Sequence, residues 1–133
     1  MTGAATGGGA GPGIDDILAE VAEVEGVLAA ALVEASSGMV LASLQLSDAP
    51  DPAVLAAGAA DLVLLLGDLV ARTGFDDDLE DVMVTVTGRH HVLRMLRGPT
   101  PEPVALIVTL VRAESNLGMA RRELREIGAR FDG

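Results

Sequence analysis

The residues that could do chemistry are few, and their spacing suits little of it. His90 and His91 are the two histidines, and they are adjacent. On the strand predicted around them, neighbouring side chains point to opposite faces, so the pair cannot share one metal ion. The acidic run Asp76, Asp77, Asp78, Glu80 and Asp81 lacks the Asp-x-Asp-x-Asp-Gly spacing of a calcium loop and reads as a solvated connector. Ser36 and Ser37 precede Gly38 outside any Gly-x-Ser-x-Gly elbow, and read as turn residues. The stretch "GGGAGPG" is glycine-rich, but a phosphate loop needs Lys and the chain has none. No strand precedes it, so a dinucleotide fingerprint is rejected too. No catalytic constellation emerges, and no cofactor or metal site is expected.

Composition narrows the classes further. The 133 residues carry a net charge of −11, which repels phosphate backbones and makes nucleic acid an unexpected partner. There is no Cys, so disulfides, thiolate catalysis and cysteine zinc sites are excluded, and a cytoplasmic setting fits. All basic residues are Arg, there is no Trp or Tyr, and Phe occurs twice. Stacking platforms for bases are therefore lacking, and the core must be built from Val, Leu, Ile, Met and Ala. Residues 1–13 carry no hydrophobic pattern and read as a flexible Gly/Ala-rich tail rather than a secretory signal. Residues 14–133 read as a single domain with one modest core.

These few polar residues hang on a regular alternation of elements. "IDDILAEVAEVE" (14–25) places Ile14, Ile17, Leu18, Val21 and Val24 on one helical face, with Gly26 as a stop. Val27–Ala35 and Met39–Leu44 are apolar strands joined at Ser36-Ser37-Gly38, and their continuous apolarity predicts a sheet covered on both faces. Asp51 is a good N-cap and Pro52 suits the first position of a helix running to Arg72, with Gly74 beyond it. Val82–Thr87 alternates strictly, Gly88-Arg89 turns, and His90–Leu96 returns. Val104–Val111 is a strong, central strand, and Asn116–Phe131 is a helix with Leu117, Ala120, Leu124, Ile127 and Phe131 on one face and Arg121, Arg122, Arg125 and Arg130 on the others, a solvated face that suits the helix C-terminus or, alternatively, a docking face for an acidic partner or an anionic surface. The order predicts an α+β fold: a five-stranded antiparallel sheet with helices on both faces.

The second helix is apolar nearly all round. Its 19 residues from Ala53 to Ala71 would reach about 28 Å, enough for a bilayer, but Asp61 and Asp68 would each cost a few kcal/mol there. A helix covered on one side by its own sheet and on the other by a second protein surface explains the pattern better. Ala56, Ala57, Gly58, Ala59 and Ala60 form a low stretch where another helix could approach, and a homodimer is the simplest supplier of that surface.

Four stretches in order resemble the roadblock family, the dynein light-chain and bacterial gliding-regulator group: "GVLAAALVEASSGMVLAS", "AGAADLVLLLGDLVARTG", "LEDVMVTVTGRHHVLRML" and "VALIVTLVRAESNLGMARREL". The absence of Lys and the Gly-rich start suit an actinobacterial member. The resemblance implies a profilin-like sandwich, with the second helix on one face of the sheet and the first and last helices on the other. It also implies homodimers in which the second helices pack together and the middle strands pair edge to edge. It implies no enzymatic activity and a partner among small Ras-like GTPases, which this type regulates or scaffolds. With no extended segment after Phe131, binding is expected more firmly than stimulated hydrolysis. The interface residues so nominated are Ala57, Asp61, Leu64, Leu65, Asp68, Arg72, Val82 and Val84, of which Asp61, Leu65, Asp68 and Arg72 would face the GTPase. The alternative is a small ligand-binding sensor or adaptor of the same sandwich type. That reading requires an enclosed pocket with buried polar groups, for which His91 and Thr109 are the candidates.

Overall fold

The computed structural model describes residues 13–46, 49–97 and 101–132. The chain runs α1 (Ile14–Val21), β1 (Val27–Glu34), β2 (Met39–Gln45), α2 (Pro52–Arg72), β3 (Asp81–Thr85), β4 (Arg89–Leu96), β5 (Val104–Val111), a short 3-10 turn (Arg112–Glu114) and α3 (Leu117–Asp132). The strands form one antiparallel sheet in the order β2-β1-β5-β4-β3. The helices α1 and α3 pack on one face and α2 on the other, which is the expected α+β sandwich with β5 at its centre. Residues 1–12 of the segment read as a tail lie outside the described residues.

Local chemistry sets the element bounds. Gly38 takes φ +77° at the β1–β2 turn, a conformation glycine adopts without penalty, and its N–H donates to the Glu34 carbonyl at 2.8 Å. Asp51 Oδ1 accepts from the Ala53 N–H at 2.9 Å and Pro52 opens α2. Asn116 Oδ1 caps α3 by accepting from the Met119 N–H at 3.0 Å. The first helix is shorter than its periodicity predicts. It ends at Val21, and tighter turns follow, with Glu23 N–H donating to the Glu20 carbonyl and Val24 N–H to that of Val21. Those turns still bury Val24, so the apolar spacing outlasts the helix.

Successive strand residues divide between two cores. Ala30, Leu32, Val92, Leu106, Val108 and Leu110 meet Ile17, Val21, Leu124 and Ile127 from α1 and α3. Ala31, Val33, Leu93, Ala105 and Ile107 meet Ala56 and Ala59 of α2. β1 and β5 are covered on both faces, as predicted, but β2 is not. It is an edge strand whose residues alternate between exposed and half-buried. Its register against β1 slips between Leu32 and Val33, leaving Leu41 without an opposite residue, a β-bulge.

One acid and two arginines depart from their solvated readings. Asp81, at the start of β3, points to the α1–α3 face. Its Oδ2 accepts from Arg121 Nε at 2.9 Å and lies 3.5 Å from Arg94 Nη1. It therefore ties β3, β4 and α3 together, and the hydrogen bond from Arg121 outweighs burial and holds its carboxyl below the usual value of 3.8. Arg130 pairs with Glu20, joining α3 to α1. The rest of the acidic connector, Asp76, Asp77, Asp78 and Glu80, is exposed.

Candidate functional site

α2 sits on the sheet through small residues, and this decides what the rest of it can do. Only Ala56 and Ala59 of its 21 residues are fully buried. Leu55, Leu62 and Val63 are half-buried against the sheet. The side away from the sheet carries Val54, Leu64, Leu65 and Leu69, exposed by 65%, 77%, 66% and 57%. Each such side chain would gain about 2 kcal/mol on full burial, so this face is costly to leave in water. By length and composition alone α2 could also cross a membrane. Its exposed charges are spaced along the same helix: Asp61, and the pair Asp68–Arg72, whose Oδ2 and Nε are 2.7 Å apart.

The apolar surface continues onto β3. This strand is the second edge of the sheet, and unlike β2 it pairs with its neighbour without a register slip, from Asp81↔Arg94 to Thr85↔His90. Val82 and Val84 point to the α2 face, where Val82 packs against the core and Val84 is exposed; Met83, also exposed, points to the opposite face. A free, regular edge bearing Val and Met is a template for another strand.

All eight nominated interface residues thus lie on α2 or β3. Ala57, Asp61, Leu64, Leu65, Asp68 and Arg72 are exposed on α2, Val84 is exposed on β3, and Val82 is half-buried beside it. Sequence reading passed over Val54 and Leu69, which are as open as Leu65. The signal for them was present in the nearly all-round apolarity of the helix, but low amphipathic contrast gave no means of assigning a side. Met83 was passed over because strict alternation implies one buried and one wet face, a rule that fails when the strand is an edge.

Two open clefts border this surface. The first, of about 550 Å³, lies between the β1–β2 turn and α2, with Ser36, Ser37, Asp61, Leu64 and Asp68 on its walls. The second, of about 260 Å³, lies between α2 and the β3–β4 hairpin, with Val54, Leu62, Val84, His91 and Ile107 on its walls. His91 Nδ1 is 2.9 Å from Oγ1 of the fully buried Thr109, while His90 Nδ1 on the opposite face is 2.8 Å from Thr85 Oγ1. The histidines do face apart, His90 buried and His91 half-buried. Burial, reinforced by the charge of Arg89, pushes His91 below the ordinary imidazole value of 6.5. Both clefts are shallow and open, unlike the enclosed polar cavity a sensor needs. Among the described residues no three His, Asp or Glu side chains converge as a metal site.

Comparison with solved structures fits this geometry. The gliding protein MglB from Thermus thermophilus superposes with a TM-score of 0.73 at 17% identity, over 89% of this chain and 84% of that one. Myxococcus xanthus MglB gives 0.69 at 16% identity, over 87% and 85%. A Roadblock/LC7 domain from Streptomyces avermitilis gives 0.68 at 20% identity, over 84% and 88%. The fold of this chain is therefore the roadblock sandwich. No family model and no curated protein matches the sequence.

Proposed function

We propose that this protein is a non-enzymatic, roadblock-type interaction module of the cytoplasm, a homodimer that binds and regulates a small Ras-like GTPase. The observation that carries the reading is the set of exposed leucines on the outer side of α2, Leu64, Leu65 and Leu69, beside the free edge of β3. A second copy offers the same helix and the same edge, so a two-fold arrangement covers both at once. The helices would meet along the Ala57–Gly58 stretch and around Leu64 and Leu65, and the two β3 strands would extend the sheet through Val82 and Val84. Strand pairing of this kind satisfies the outward backbone groups of β3 without side-chain specificity. The same coverage keeps α2 out of a bilayer, where Asp61 and Asp68 would be unfavourable.

The likeness to MglB supports the further step to a GTPase system, and one MglB structure has a tetrameric arrangement. The charges Asp61, Asp68 and Arg72 lie on the same outer side of α2 as Leu64 and Leu65, where charged residues set partner choice and encounter rate more than affinity. The test is a binding titration of the dimer against the small GTPase encoded nearest to its gene, loaded with GDP or a non-hydrolysable GTP analogue. Binding that depends on the nucleotide and weakens in Asp68→Arg supports the reading. Absence of binding in both states, from a folded dimer, overturns it for that GTPase.

A further inference from the structure

The cleft between α2 and the β3–β4 hairpin opens on the surface just assigned to self-association, and among the described residues His91 is the one ionisable group on its walls. The described elements packed around the ring offer it no carboxylate. β3 sets Val84 opposite it, β5 contributes Thr109 and Ile107, and α2 contributes Leu55, Gly58, Ala59 and Leu62. The charged neighbours that act on it are Arg89 and His90 of its own strand, and both are basic. A neutral ring makes one hydrogen bond, to Thr109, and presents the rest of its surface to apolar walls. A protonated ring has two N–H donors, and the lining side chains give the second no acceptor.

We propose that His91 makes self-association on this face sensitive to pH, its neutral form allowing the cleft to close against a second copy and its imidazolium opposing closure. The proposal rests on the homodimer reading above. The direction follows from linkage. Burial and Arg89 already hold His91 below the ordinary imidazole value in the free chain, and covering the cleft removes more water from it, a further shift in the same direction. Protons then bind the monomer in preference to the dimer, so association is fullest above the monomer value and is lost as pH falls through it. The overall charge acts with the opposite sign. Two chains of net charge −11 repel, and added protons relieve that repulsion, so without His91 mild acid should strengthen pairing.

Sedimentation equilibrium of the full chain in steps from pH 7.5 to pH 5.5, at one ionic strength, separates these cases. The dimer dissociation constant of the natural protein is expected to rise as pH falls, by up to about tenfold per histidine for each pK unit by which the dimer lies below the monomer. His91→Gln, which keeps a partner for Thr109, is expected to lose that rise, and His90→Gln to retain it. A constant that does not change with pH, that falls at pH 5.5, or that rises equally in His91→Gln overturns the proposal while leaving the dimer intact. Should His91→Gln fail to fold, titration of the His91 ring protons by NMR in the natural protein, above and below the dissociation constant, decides the matter. A lower midpoint in the dimer supports the proposal and equal midpoints overturn it. A folded chain that stays monomeric at every pH overturns the dimer reading itself, and the proposal with it.

Discussion

α3 and α2 cover opposite faces of one sheet and are built differently. α3 sends Ala120, Leu124 and Ile127 into the core and turns Arg122 and Arg125 to water. It approaches the sheet so closely that a Cβ on Gly128 would stand 2.9 Å from Leu96 Cδ2. α2 fully buries only two alanines, half-buries Leu55, Leu62 and Val63, and turns Leu64, Leu65 and Leu69 outward. The first helix is complete within one chain, and the second is complete only with something laid over it. The sheet edges repeat the contrast. β2 carries a bulge at Leu41 that interrupts a ladder of paired residues, a common protection against edge pairing, while β3 is regular.

The same substitution should therefore have very different consequences in the two helices. Leu124→Ala leaves a cavity in the α1–α3 core and is expected to lower unfolding free energy by about 3 kcal/mol, read by urea denaturation. Leu65→Ala is expected to leave the stability of the monomer within about 0.5 kcal/mol, because that side chain is already in water. Comparable losses at both positions would erase the distinction between the helices.

The edges can be tested against each other in the same way. Val84→Lys places a charge on the regular edge and is expected to weaken self-association at least about tenfold. Leu41→Lys, on the bulged edge, is expected to change it less than about twofold. Both constants come from dilution of labelled protein, and equal effects would mean that β3 is not the pairing edge.

Asp81 sharpens the comparison from the α3 side. Its carboxyl titrates below its unfolded value of 3.8 because Arg121 donates to it. A lowered acid stabilises the fold above the unfolded value, and that contribution disappears as pH falls through the folded value. Asp81→Asn is thus expected to cost about 1 kcal/mol at pH 7 and to flatten the loss of stability below about pH 4. An unchanged acid limb in thermal melts would show that the Arg121 contact contributes nothing.

Two glycines carry the same comparison into the helix backbone. Gly67→Ala on α2 meets nothing within 4 Å and should raise stability by up to about 1 kcal/mol, as helix propensity allows. Gly128→Ala on α3 should lower it, since the Leu96 side chain must give way.

Much of this was legible in the residues. The bounds of α2 were legible because Asp51, Pro52 and Gly74 mark them chemically, and the β1–β2 turn because Gly38 supplies a positive φ. The apolar excess of α2 was legible as a need for a second surface. What escaped had no local marker. The bulge at Leu41 depends on the register between two strands, and Asp81 looks like its neighbours in an acidic run until α3 folds back on β3. The cleft at His91 required knowing which strand is an edge and where α2 crosses the sheet.

The most direct measurement is the solution mass of the full chain and of Leu65→Arg by sedimentation velocity at micromolar concentration, each checked for fold by circular dichroism. Self-association through the outer side of α2 requires a dimer for the natural sequence and a folded monomer for Leu65→Arg, since a charge at that position is harmless in water and costly in an apolar interface. A natural chain that sediments as a monomer, or a Leu65→Arg chain that remains a dimer, would contradict it.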